Sequence, residues 1–191
     1  MIPDLPNLLS PPMAAEFVRP YNRQKAALVD YARGGVALLD ASKGLNVKDW
    51  QCELQNGEVY ISSSGVTPFR VETFVGKPDW ISFAFDQNMH YNLAYTLPGG
   101  AGFLYWYDAE GQGYVTDSLG AVRTPIIRLD DVRDSAFGDS DIILSYIKGG
   151  ALCVRVQRDR FKVEYMLASA AGNSIIQCGM NKSLRFQWYC V

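Results

Sequence analysis

Residues suited to chemistry are few in this chain. Its one histidine, His90, follows Asp86-Gln87-Asn88-Met89, which reads as a turn, and opens the apolar run YNLAYTL. A Ser–His or Cys–His nucleophilic pair would have to use this residue, and one histidine excludes a His-rich metal site. At a turn it reads first as solvated surface. Five aspartates, Asp130, Asp131, Asp134, Asp139 and Asp141, crowd into LDDVRDSAFGDSD. Oxygen-rich loops of this kind can bind calcium, but the spacing is not that of an EF-hand. Arg128 and Arg133 are close enough in sequence to pair with these acids. The segment therefore reads as a solvated loop between strands, with calcium as the alternative. Glycoside hydrolysis needs two carboxylates at a fixed separation, and nothing in the sequence favours such a pair.

Arg155, Arg158, Arg160 and Lys162 form a basic run, interleaved with Val156, Phe161 and Val163 and interrupted by Asp159 and Glu164. It makes a weak nucleic-acid patch and a better partner-facing ion-pair surface, since arginine suits such contacts. Phe103, Tyr105 and Tyr107 fall on one face of a strand and Trp106 on the other. Aromatic ladders of this kind stack on sugars or anchor interfaces. The competing reading is core and cross-strand pairing. Cys52, Cys153, Cys178 and Cys190 are scattered, with no C-x-x-C. They read as buried free thiols, with Cys178–Cys190 the one bridge to consider. No G-x-S-x-G, H-E-x-x-H, P-loop or dinucleotide fingerprint occurs. The expectation is a chain without catalytic, cofactor-binding or metal-binding residues, and not an enzyme.

The bulk numbers agree with a structural or binding protein. The 191 residues suit one domain, or one domain plus an arm, and can bury a core without disulfides. Hydrophobic residues at 48% against 20% charged place it among globular chains. A net charge of −2 argues against nucleic-acid binding over the whole surface. No apolar run is long enough to span a membrane. MIPDLPNLLSPPM lacks the pattern of a signal peptide, so folding in a cytoplasm is expected.

Residues 1–35 and 36–191 divide the chain into an arm with a short helix and a β domain. Pro3, Pro6, Pro11, Pro12 and Pro20 force residues 1–20 into an extended form. Leu5, Leu8, Leu9, Phe17 and Val18 make that arm apolar. It either lies on a partner subunit or folds back on its own domain. YNRQKAALVDYAR, residues 21–33, predicts a helix, with Pro20 at its start and Gly34-Gly35 at its stop. Beyond residue 36 the signal is β. WQCELQ-NG-EVYISSS is a hairpin on Asn56-Gly57 that sets Leu54 across from Val59, Cys52 across from Ile61, and Gln55 across from Glu58. DIILSYI-KGG-ALCVRVQRD is a second hairpin, with Gly149-Gly150 at the turn. It puts Ile143 and Ile147 on a face with Val156 and Leu152. Its first strand is apolar on both faces, which marks it as interior. Further strands are WISFAFDQ, HYNLAYTL, GFLYWYDAE, GYVTDS, TPIIRL, FKVEYMLA, SIIQCG and LRFQWYCV. This spacing predicts a mainly β fold, an antiparallel meander forming a sandwich or partial propeller-like sheets. Residues 79–117 and 139–169 share a strand pattern like that of a propeller blade.

The stretch from residue 79 onward resembles small virion proteins of short-tailed bacteriophages. The resemblance rests on SFAFDQNMHYNLAY, LYWYDAEGQG, TPIIRLDDVRDSAFGDSDIILSYIKGGALCVRVQRDRFKVEYML and GMNKSLRFQW, in that order. It implies a structural component of the tail nozzle, tail tube or head-to-tail region. Such a component would form a symmetric homo-oligomeric ring around the DNA channel, beside other tail and portal-complex proteins. DNA would pass without specific binding, which suits the near-neutral charge, and the protein would reside in the virion. The chain departs from a full nozzle in size, since it is too short for a complete propeller. A carbohydrate-binding β-module for host-surface recognition, stacking sugars on Tyr105, Trp106 or Tyr107, is the alternative.

Overall fold

A computed structural model describes residues 27–31, 34–38, 50–63, 66–71, 75–86, 90–130, 141–180 and 186–191. The arm expected over residues 1–20 lies outside them, as do residues 21–26 of the helix candidate. The second half of that candidate is not helical. Ala27–Tyr31 is strand β1, paired antiparallel with β2 (Gly34–Leu38) from Ala27 opposite Leu38 to Tyr31 opposite Gly34. So short a helix is marginal by itself. Val29 and Tyr31 favour a strand, and the expected glycine stop becomes part of the partner strand.

The remaining described strands form antiparallel meanders. β3 (Trp50–Gln55), β4 (Glu58–Ser63) and β5 (Val66–Val71) make the first sheet. The Asn56-Gly57 hairpin has the register its alternation predicts, with Leu54 opposite Val59 and Cys52 opposite Ile61. Both turn residues take positive φ, 55° and 78°, which is why this dipeptide sits there. β5 escaped the sequence reading because Pro68 interrupts its pattern. The proline is tolerated because β5 is an edge strand.

Two four-stranded meanders follow. The first is β6 (Trp80–Phe85), β7 (Tyr91–Thr96), β8 (Ala101–Asp108) and β9 (Gly113–Ala121). The second is β10 (Arg123–Asp130), β11 (Asp141–Lys148), β12 (Ala151–Val156) and β13 (Tyr165–Ala168), with a 3-10 turn at Gln157–Asp159 before β13. In each, the strands lie in sequence order. The two meanders share one strand layout, one strand out of phase with the sequence match. β10 corresponds to β6, whereas the pattern had set β11 against it. A two-stranded sheet, β14 (Ile175–Met180) and β15 (Phe186–Cys190), ends the chain.

These antiparallel sheets are tied to one another by side-chain and backbone contacts. Phe69 of the first sheet meets Tyr91 of the second at 6.1 Å between ring centroids. β10 lies along β6, where the Ile127 N–H donates to Ser82 Oγ at 3.1 Å and the Trp80 indole donates to the Pro125 carbonyl at 3.0 Å. On the far side of β10–β13, Ile126, Ile147 and Leu152 form a second core with Ile175 and Cys178. Residues Asp141–Ile147 are buried without interruption, as expected for a strand apolar on both faces. The glycine pair at the β11–β12 turn takes φ of 58° and 81°, and Ile143 opposes Val156 and Ile147 opposes Leu152 as the sequence predicts.

Candidate functional site

His90 is not free surface. Its ring stacks on Tyr107 at 3.8 Å and 13° between planes, and its Nδ1 lies 3.2 Å from Asp86 Oδ2. Asp86 is buried, accepts the His90 backbone N–H at Oδ1 (2.9 Å), and takes Gln157 Nε2 at Oδ2 (3.2 Å). A carboxylate and an imidazole in contact are two thirds of a hydrolytic triad. Here the pair spans its own β6–β7 turn, and Gln157 ties that turn to the next sheet. Among the described residues no serine, threonine or cysteine side chain bonds the imidazole. The arrangement therefore works as a turn staple, with Asp86 as the buried anchor that sequence inspection passed over.

Tyr105 stacks on Tyr114 at 5.0 Å and 9°, Tyr91 stacks on Tyr114 at 4.5 Å, and Tyr95 stacks on Phe103 at 5.4 Å. The aromatic face of β8 is thus filled by cross-strand partners from β7 and β9. Trp106, on the opposite face, donates to Asp117 Oδ2 at 2.7 Å and meets Phe161 edge-on at 5.1 Å. Tyr105 and Trp106 are buried, and one face of Tyr107 is covered by His90. No sugar-stacking shelf forms from these three rings. Burial pushes the Tyr91 hydroxyl up to about 12.

The basic run is divided: Arg155 and Arg160 are half-buried in ion pairs, while Arg158 and Lys162 stay exposed. Arg158 pairs with Asp141, and Arg160 forks between Asp108 and Glu110. Arg155 donates to Tyr146 Oη at 2.8 Å, to the Phe161 carbonyl at 3.2 Å and to Glu164 at 3.2 Å. Glu164 also accepts from Lys148 and Tyr146. Burial alone would raise Glu164, but the bonds from Tyr146, Lys148 and Arg155 outweigh it and hold the carboxyl below its usual range. Asp108 is likewise raised by burial and then drawn down further by Arg160. Asp108 and Glu110 sit about fifty residues from Arg160 in sequence. Asp108 and Arg160 are joined only because β8 and the turn after β12 meet across a sheet seam.

Of the acidic cluster, residues 131–139 lie outside the described residues. Asp130 and Asp141 pair across β10 and β11, and Asp141 is occupied by the Arg158 side chain and backbone N–H. Arg128 is buried and donates to the Cys178 and Ile127 carbonyls. Burial pushes its guanidinium down to about 10. Among the described residues no three His, Cys, Asp or Glu side chains converge as metal ligands. Cys52, Cys153 and Cys178 are buried and free, and Cys190 is partly exposed and free, so no Cys178–Cys190 bridge forms. Cys178 instead opposes Trp188 in the ladder.

Comparison with known proteins returns no match: no family model, no curated protein and no solved structure is similar. Function must be argued from geometry. Two clefts open at the seams. One, of about 310 Å³, lies between Trp106, Asp117, Arg155 and Lys162. The other, of about 540 Å³, is walled by the turn glycines Gly99, Gly100, Gly149 and Gly150 with Arg123. Arg123 there donates to Asn173 at 2.9 Å. Neither cleft is lined by His90. Among the described residues no helix is long and apolar enough to cross a membrane.

Proposed function

We propose that this chain is a structural protein that acts by assembling with copies of itself, as a ring component of a short-tailed phage virion around the DNA channel. The observation that carries assembly is the edge strand β13. All four of its residues are exposed, among them Tyr165, Met166 and Leu167, and it has β12 as its one strand partner among the described residues. Natural monomers blunt such edges with charge, proline or a cover. An apolar edge left open is a template for another chain. The virion assignment rests on the resemblance of residues 79–191 to phage tail proteins.

Sedimentation velocity on the full chain tests this. A discrete oligomer that images as a closed ring by electron microscopy is expected. A monomer at every concentration reached overturns it.

A further inference from the structure

We propose that the cleft of about 540 Å³ beside Arg123 is a binding site for a phosphomonoester. Turns of both four-stranded sheets meet there: the β7–β8 turn at Gly99-Gly100, the β9–β10 corner at Val122-Arg123, and the β11–β12 turn at Gly149-Gly150. The volume is that of a small-molecule site. Turns gathered at one end of a rigid sheet scaffold are where such sites arise.

Among the described residues the charged group in the wall is Arg123, and no carboxylate joins it. Arg70, Arg155, Arg158 and Arg160 are each paired with a carboxylate, and Arg128 is buried. Arg123 is exposed, and its side-chain partner among the described residues is Asn173, a neutral amide. The bond from Nη1 to Asn173 Oδ1, at 2.9 Å, fixes the guanidinium and leaves its other donors for a ligand.

The backbone of the walls is rich in donors too. The Gly100 carbonyl accepts the Val122 N–H at 3.0 Å, and the Gly150 carbonyl accepts the Ala171 N–H at 2.8 Å. The amides of Gly99, Gly149 and Gly150 have no backbone acceptor among the described residues. No side chain screens them, and a Cβ added at Gly99 or Gly149 would meet nothing within 4 Å. Turn amides without acceptors are the donors from which anion-binding concavities are built, and the arginine fork matches phosphate. Donors from two turns and a guanidinium suit a group with three terminal oxygens better than a planar carboxylate with two. Val122 and Ile147 line the cleft and are buried, so its base is apolar. That base, and the volume beyond a phosphate group, give the organic part of the ester its place.

The test titrates the phosphorus resonance of phenyl phosphate with the full chain. Saturable binding is expected. It should weaken about tenfold or more in Arg123→Met. Ala121→Phe, which sets a ring in the cleft and keeps the guanidinium, should weaken it as well. Arg70→Met, which removes a paired arginine elsewhere, should leave it unchanged. All three variants should keep the β circular dichroism spectrum. No saturable binding by the unaltered chain overturns the site. Binding that survives both cleft variants, or falls equally in Arg70→Met, overturns it too. Inorganic phosphate held as tightly as phenyl phosphate overturns the place given to the organic part, and phenylacetate held as tightly overturns the choice of phosphate. Sedimentation reads assembly separately, so failure here leaves self-assembly standing.

Discussion

The Trp188 indole N–H donates to Ser145 Oγ at 2.7 Å, fastening the last strand of the chain to the most buried one. Ser145 is the polar residue in an otherwise apolar run, and it is fully buried. A buried hydroxyl without a partner is costly, so this serine is explained by the indole it receives. Ser145→Ala leaves the indole without its acceptor. The expected loss is about 1–3 kcal/mol in urea unfolding, with the β14–β15 amides losing hydrogen-exchange protection first.

Gly102 sits on β8 where an added Cβ would overlap Val122 Cγ2. Gly102→Ala overpacks this seam and should cost about 1–3 kcal/mol. Val122→Ala makes room for that methyl. The double variant Gly102→Ala/Val122→Ala should then be less destabilised than the two single losses added together. A thermodynamic cycle from denaturant melts measures this coupling; strict additivity would show that the two do not touch.

Acid should weaken the fold in a defined window. Glu164 and Asp108 both titrate below their ordinary values of 4.5 and 3.8 in the folded protein. A lowered carboxyl pKa stabilises the fold at pH above the unfolded value and ceases to do so as pH falls through the folded one. The urea midpoint should therefore hold near neutrality and drop as pH falls below about 4.5. Arg155→Met removes one of the groups that lower Glu164, so its midpoint should fall less steeply with acid.

Thiol reactivity should sort the cysteines. Burial pushes Cys178 up to about 11 and Cys52 higher still, while Cys190 is raised less and is partly exposed. Thiolate is the reactive form. Under native conditions Ellman's reagent should modify Cys190 first and slowly, with Cys52, Cys153 and Cys178 reacting only at the rate of unfolding. Rapid reaction of all four at neutral pH would contradict the packing.

Two-residue alternation and turn chemistry made much of the fold legible in the sequence. Asn56-Gly57 and Gly149-Gly150 set the register of two hairpins, because positive φ at both turn positions leaves one geometry and the side-chain period does the rest. The doubly apolar run at Ile142–Ile147 told that β11 is covered on both sides. Local signals failed where a strand carried a proline, as at Pro68 in β5, or where a short segment had no tertiary partner in view, as at Ala27–Tyr31. Only the tertiary structure decided how the polar groups are used. Arg160 meets Asp108 and Gln157 meets Asp86 because separate strands and turns come together, and polar pairing over such distances leaves no period in the sequence. It also decided that β13 has one strand neighbour among the described residues: strand propensity says that Tyr165–Ala168 will pair, but not on which sides.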